Sequence, residues 1–170
     1  MTDGILIRPA QPSDARELVE LARAVTAEPE GWLLSTDARS VGEERRYLRA
    51  LRHFADACVY VAEGRPGEIV ARLSLARDLH PASRHVADVG LMVAQKHRRR
   101  RIGWSLLEEA VGWADRVGVR KLELHVFPHN EPAIALYERF GFRREGYRRA
   151  HYLRGSGGYV DAILMAYDVS

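Results

Sequence analysis

The tightest constraint on this chain is the join between an apolar run, Val89-Gly90-Leu91-Met92-Val93, and the segment His97-Arg98-Arg99-Arg100-Arg101-Ile102-Gly103-Trp104-Ser105-Leu106-Leu107, which opens a helical pattern. A strand that feeds a basic turn at a helix start forms an anion site. The first N–H groups of a helix have no partner within it and carry the positive end of its dipole, so a phosphate gains hydrogen bonds and charge complementarity together. The four arginines strengthen that field, although taken alone they are equally compatible with a solvated cationic patch.

The pattern along the chain alternates strands and helices, with no repeat and no low-complexity tract. Ile5 to Arg8 reads as a first strand, ended by Pro9. Pro12-Ser13-Asp14 opens a helix with Ala15, Leu18, Leu21, Ala22 and Val25 at helical spacing. A loop from Glu28 to Asp37 precedes a second helix, Val41 to Phe54, with Tyr47, Leu48, Leu51 and Phe54 on one face. Strands follow at Ala57 to Glu63 and Glu68 to Ala76, joined by the Gly64-Arg65-Pro66-Gly67 turn, and a fourth runs from His85 to Ala94. The third helix buries Ile102, Leu106, Leu107, Ala110, Trp113, Ala114 and Val117 and stops at Gly118. A fifth strand, Lys121 to Phe127, leads to a fourth helix with Pro132 in its first turn and Gly141 as its cap. Two last strands, Phe142 to Leu153 and Tyr159 to Tyr167, flank the turn Gly155-Ser156-Gly157-Gly158. Strands and helices in this order predict an α/β fold with a mixed sheet of about seven strands.

Composition narrows the function classes. A length of 170 residues suits a single domain over residues 1–170 with one sizeable core. There is no 18-residue apolar run, and Met1-Thr2-Asp3-Gly4 lacks the pattern of a secretory signal, so a cytoplasmic protein without membrane contact is expected. Cys58 is the only cysteine, which excludes an intrachain disulfide and a cysteine-based metal site. Its apolar setting marks a core thiol. The seven histidines show no metal-ligand spacing, so no metal is expected. Net charge is +3, and only Lys96 and Lys121 are lysines among 26 cationic side chains. That arginine bias fits a GC-rich coding sequence better than nucleic-acid binding, which would need aromatics interleaved with the basic residues.

About thirty residues beyond the basic turn the chain reads His129-Asn130-Glu131-Pro132-Ala133-Ile134-Ala135-Leu136-Tyr137-Glu138-Arg139-Phe140-Gly141-Phe142. Together the two stretches resemble the GNAT family of acetyl-CoA-dependent N-acetyltransferases. The family's Gln/Arg-x-x-Gly-x-Gly/Ala signature corresponds to Arg98 to Gly103. Its Asn-x-x-Ala-x-x-x-Tyr-x-x-x-Gly-Phe signature is complete from Asn130 to Phe142. Arg101 stands where the family usually carries its first glycine. Positive φ would penalise arginine there, so a helix-start conformation is expected at Arg101. The likeness runs from Ile5 to the Asp161-Ala162-Ile163-Leu164-Met165-Ala166 segment.

The resemblance implies the GNAT fold, a mostly antiparallel sheet with flanking helices in which the fourth and fifth strands splay apart. It implies that Leu91, Met92 and Val93 pair with the pantetheine arm of acetyl-CoA. The pyrophosphate then meets the N–H groups of Arg99, Arg100, Arg101, Ile102 and Gly103, with Arg98 and Trp104 flanking. Each hydrogen bond to a charged group contributes roughly 1.5 to 3 kcal/mol net, enough for a few amides to account for about micromolar affinity. Asn130 is placed beside the pantetheine or acetyl group, although its position also suits a helix N-cap. Tyr137 is placed near the thioester sulfur as the acid that protonates the departing thiolate, although its setting between Leu136 and Phe140 also suits core packing.

The implied reaction is direct transfer of acetyl to a primary amine with no covalent enzyme species. Deprotonating an ε-ammonium at pH 7 costs about 4 to 5 kcal/mol and an α-ammonium about 1, so a general base matters most for lysine-like acceptors. Asp88 is the candidate base, with His85 and Glu123 behind it, against the plain reading of a paired or solvated strand carboxylate. The C-terminal half is most similar to small bacterial amino-acid and amine N-acetyltransferases. In the loop before the second helix, Glu28 and Trp32, with Glu30 and Asp37, could hold an acceptor cation. Alternatively Arg39, Arg45, Arg46 and Arg49 could bind a carboxylate. The alternatives are acetylation of a protein N-terminus or lysine, which predicts an open peptide groove, and a non-catalytic acyl-CoA-binding module. The family also implies a homodimer.

Overall fold

A computed structural model describes residues 4–34 and 39–170. Seven strands form one sheet: β1 (Leu6–Pro9), β2 (Ala57–Glu63), β3 (Ile69–Arg77), β4 (Val86–Val93), β5 (Lys121–Val126), β6 (Arg143–Leu153) and β7 (Tyr159–Asp168). Their order is β1-β2-β3-β4-β5-β7-β6. Every neighbouring pair is antiparallel except β4 and β5. Among the described residues four α-helices cover it: α1 (Ala15–Thr26), α2 (Val41–Leu51), α3 (Ile102–Val117) and α4 (Glu131–Phe140). Asp37 lies outside the described residues, so the acceptor loop is followed only to Leu34.

Strand alternation sorts the core onto two faces. Ala87 and Val89 of β4 and Leu122, Leu124 and Val126 of β5 point to one side, where Ile102, Leu106, Leu107 and Ala110 of α3 and Ile134 and Tyr137 of α4 meet them. Val59 and Val61 of β2 point to the other, beneath Leu18, Leu21 and Val25 of α1 and Leu48 of α2. The intervening residues of β5, Glu123 and His125, therefore face away from α3.

The second helix departs from its expected form. It ends at Leu51, three residues before Phe54, and the chain leaves through tighter bonds from His53 N–H to Ala50 O and from Phe54 N–H to Leu51 O. Phe54 is consequently 48% exposed and not on the apolar face. Its face instead buries Glu44 beside Leu48. Glu44 is 2% exposed, faces Arg72 of β3 at 2.9 Å and accepts a hydrogen bond from Arg39 at 3.1 Å. The helix start is conventional, with Ser40 and Glu43 satisfying each other's backbone N–H groups.

Two features shape the region around the β4 and β5 ends. The parallel pairing of β4 and β5 runs only through Val86–Lys121, Ala87–Leu122 and Asp88–Glu123. Both strands continue beyond, β4 to Val93 and β5 to Val126, each still paired on its other side. A cleft therefore opens between them. In β6 a bulge falls between Arg148 and Tyr152, with Ala150 at a φ of 48°. Asp161 of β7 pins it, accepting from Ala150 N–H at 2.7 Å and from the Tyr147 hydroxyl at 2.7 Å. The bulge sets Tyr152 opposite Val160.

Candidate active site

One bank of the cleft is the free edge of β4 from Val89 to Val93. Backbone groups on an unpaired strand edge need partners, and an extended amide-bearing chain could supply them in strand fashion. Leu91, Met92 and Val93 all lie on this stretch. Val93 O already accepts from Arg98 Nε at 3.0 Å.

The cleft leads to the basic turn, whose backbone differs from the expectation. Arg101 has a φ of 63° and ψ of 4°, and Arg99 a φ of 60°, so both are left-handed and the expected helix-start geometry at Arg101 is overturned. Left-handed backbone costs a non-glycine residue about 1 to 2 kcal/mol. The chain tolerates that cost because the turn must reverse between β4 and α3. Alternating left-handed residues gather successive N–H groups into a concavity that suits an anion. The first helical bond of α3 is Ser105 N–H to Arg101 O, and no side chain caps this end. The N–H groups of Ile102, Gly103 and Trp104 thus precede the helical ladder.

The arginine side chains divide into two kinds. Arg98 turns away from the concavity and binds both carboxylate oxygens of Glu28, at 2.6 and 2.7 Å. Arg99, Arg100 and Arg101 are exposed, with Arg100 beside His97 at 3.2 Å and Arg101 over the Trp104 ring at 5.9 Å. Trp104 itself donates from Nε1 to Glu108 and packs edge-on against Phe140. Gly103 allows α3 and α4 to approach, since a Cβ there would sit 2.9 Å from Leu136 Cδ2.

The α4 side supplies the second motif. Asn130 is the N-cap, its Oδ1 accepting from Ala133 N–H at 3.3 Å, which leaves its side-chain amide nitrogen as a donor. Tyr137 is 7% exposed in the core cluster that holds Val89, Leu124 and Val126, with Phe142 at 5.6 Å between ring centres. Burial pushes its hydroxyl up to about 12, so the phenol stays protonated at neutral pH.

On the face away from α3, Asp88 and Glu123 sit side by side at the last β4–β5 pair. Loss of hydration raises the Asp88 carboxyl above its ordinary range, Glu123 and Asp78 add to this, and Arg148 opposes it. Glu123 pairs with Lys121 at 2.9 Å. His85 lies just before β4 and is exposed, with its carbonyl taken by Arg120 and Lys121 N–H. His125 was not singled out from the sequence. Its Nδ1 lies 2.6 Å from the Tyr152 hydroxyl. The signal was present in the alternation of β5, where Glu123 and His125 occupy the positions opposite to Leu122, Leu124 and Val126.

The loop after α1 spans the two banks. On the β4 side Glu28 holds Arg98, and on the β5 side Glu30 O lies 2.9 Å from His129 Nε2. Trp32 donates to Glu28 at 2.8 Å and stacks on His129, which stacks in turn on Phe127. Arg154 from the β6–β7 turn donates to Leu33 O at 2.8 Å. The Glu28 carboxylate is thus already engaged by Arg98 and Trp32, in place of the free carboxylate for an acceptor cation expected from the sequence. Arg39 pairs with Glu44, and Arg45, Arg46 and Arg49 lie exposed on α2.

Burial pushes the Cys58 thiol up to about 12, which leaves no thiolate for nucleophilic work. Among the described residues no three His, Cys, Asp or Glu side chains group as metal ligands, and no helix is long and apolar enough to cross a membrane. A separate groove between α4 and the β6–β7 hairpin, lined by Ile134, Glu138, Arg144, Tyr147 and Ile163, includes none of the cleft residues.

Comparison with known proteins bears on the family and the fold. The profile of the Acetyltransferase (GNAT) family matches residues 22–142. An L-amino acid N-acetyltransferase of Escherichia coli is 37% identical over 101 residues, 59% of this chain, and the match spans 62% of that protein's length. A [ribosomal protein bS18]-alanine N-acetyltransferase of Salmonella typhimurium is 34% identical over 115 residues, covering 63% of this chain and 77% of that protein. Among solved structures, a GNAT-family acetyltransferase of Streptococcus pneumoniae superposes with a TM-score of 0.86 at 28% identity, covering 97% of this chain and 99% of that one.

Proposed function

This chain belongs to the acetyltransferase (GNAT) family, and from that premise we propose that it moves acetyl from acetyl-CoA to the primary amine of a small molecule, an amino acid or a close analogue. Acetyl-CoA supplies an activated thioester carbonyl. The free β4 edge from Val89 to Val93 pairs with its pantetheine amides, and the N–H groups of Arg99 to Trp104 hold its pyrophosphate. The Asn130 side-chain amide lies at the mouth of α4, able to donate to the same arm. Arg98 contributes through its grip on Glu28 and Val93 O, fixing the loop against the end of β4. Tyr137 gives its proton to the departing thiolate, and Asp88 draws the acceptor ammonium to the splay point.

The observation that carries the choice of acceptor is the loop from Glu28 to Leu33. It is fastened to Arg98 on one bank and to His129 and Arg154 on the other, so it bridges the cleft and narrows the approach for a long chain. A polypeptide needs an open groove. A free amino acid needs no such groove, and Arg148, whose charge acts on Asp88 and His125, supplies a cation for its carboxylate. The names of the two relatives span both acceptor classes, an L-amino acid and an alanine of a ribosomal protein.

The test is thiol release from acetyl-CoA across free L-amino acids, polyamines and short peptides. Release with free amino acids and little with peptides is expected. Turnover confined to peptides would overturn the small-molecule reading while leaving the transferase intact.

A further inference from the structure

We propose that His125 is the group that takes the proton from the acceptor amine, with Tyr152 as the positioning residue that fixes its tautomer. The inference rests on the acetyltransferase reading above and adds the base that reading requires. It begins from where the cleft opens. Pairing of β4 with β5 ends at Asp88–Glu123, so the next positions on the face away from α3 are Gly90 on β4 and His125 on β5. Gly90 carries no side chain and is itself exposed, which leaves the β4 bank bare at that position. An amine that approaches a thioester held along β4 enters between Asp88 and His125.

The hydrogen bond to Tyr152 decides what the imidazole can do. Neutral histidine carries one N–H, and its two nitrogens have opposite roles. The base role requires that Nδ1–H donate to the Tyr152 oxygen, 2.6 Å away, rather than accept from its hydroxyl, since only then does Nε2 keep its lone pair as a proton acceptor. The β6 bulge pinned by Asp161 holds Tyr152 in place, and the Tyr152 ring packs edge-on against Phe127. The groups facing His125 are Glu123 on its own strand, Asp88 at the splay point of β4, and Arg148, His151 and Tyr152 on β6. Loss of hydration lowers its proton affinity, Arg148 and His151 lower it further, and Glu123 opposes them, so the ring is neutral at pH 7.

The proton balance is complete without another reactant. The acceptor ammonium gives one proton to His125 Nε2, and the freed amine nitrogen forms the bond to the acetyl carbon. The carbon–sulfur bond breaks, its electron pair leaves on sulfur, and the thiolate takes the Tyr137 proton. The second nitrogen proton restores the Tyr137 phenol, and His125 returns its proton to water. Asp88 and Glu123 hold the ammonium and steady the imidazolium by charge.

Two measurements test this. Nitrogen-15 NMR of the histidine side chains, with His125 identified by the signals lost in His125→Gln, should show the Nδ1–H tautomer, and Tyr152→Phe should move it toward Nε2–H. In thiol release with the best amino acid acceptor, His125→Gln should lower kcat/KM by about 100-fold at pH 7. The variant should also lose the acidic limb, which lies below the ordinary imidazole range in the parent, and keep its acetyl-CoA affinity. Added imidazole should restore part of the rate. An Nε2–H tautomer in the parent protein, or an unchanged rate and pH profile in His125→Gln, overturns the assignment while the transferase stands. A parent protein that binds no acetyl-CoA overturns the transferase reading and takes the base with it.

Discussion

Tyr137→Phe is expected to lower kcat by about 100-fold while acetyl-CoA affinity and thermal stability hold. The magnitude is the lower end of what one positioned acid contributes. The argument is local. Tyr137 is 7% exposed, and burial pushes its hydroxyl up to about 12, so across the assay range it rests as the phenol, the form that carries the proton the thiolate takes. Phenylalanine keeps the contact with Phe142 and the packing of α4 against β5, and removes only the oxygen. Steady-state kinetics with a single-turnover control separates chemistry from product release. An unchanged single-turnover rate would show that the thiolate leaves without help from this phenol.

The second large effect concerns stability. Arg72→Ala is expected to cost about 3 to 5 kcal/mol, because it strips the principal partner from a carboxylate with almost no access to water. Glu44 is 2% exposed, and its Oε1 makes no well-aligned hydrogen bond. The 2.9 Å approach of Arg72 Nη1 to that oxygen is thus an ion pair with imperfect alignment. Arg39 reaches only the other oxygen, at 3.1 Å, and its side chain is half exposed. Replacing both residues, Arg72→Met with Glu44→Leu, should cost much less, since no charge is then left stranded. Urea unfolding reads both variants through the midpoint at constant slope. A loss below about 1 kcal/mol for Arg72→Ala would place this pair with ordinary surface ion pairs.

The sequence made the architecture legible because the periodicities were long and bounded by glycine. Gly118 and Gly141 end α3 and α4 with φ values of 75° and 118°, as their positions required. The splay was implied by the family resemblance, and its cause is visible only in the register, where β4 and β5 share three pairs. The left-handed Arg101 escaped a reading based on residue preference, because preference gives the cost of a conformation and not what the surrounding turn demands. The Arg98–Glu28 clamp joins residues seventy positions apart, and nothing local marks either as the other's partner. Burial of Glu44 was hidden for the same reason, since its cation lies on β3. His125 could have been found from alternation alone. Its link to Tyr152 could not, because a two-residue register shift in β6 precedes that contact.

The central claim is that the splayed edge of β4 and the turn after it form one acyl-CoA site. Mapping backbone amide shifts on adding acetyl-CoA tests it most directly, with free coenzyme A as the companion titration. The account predicts saturable shifts at Val89 to Val93, at Arg99 to Trp104 and at Asn130, with both ligands sharing the turn and acetyl-CoA adding changes near Tyr137. Shifts confined to the groove between α4 and β6, or none at either stretch, would contradict it.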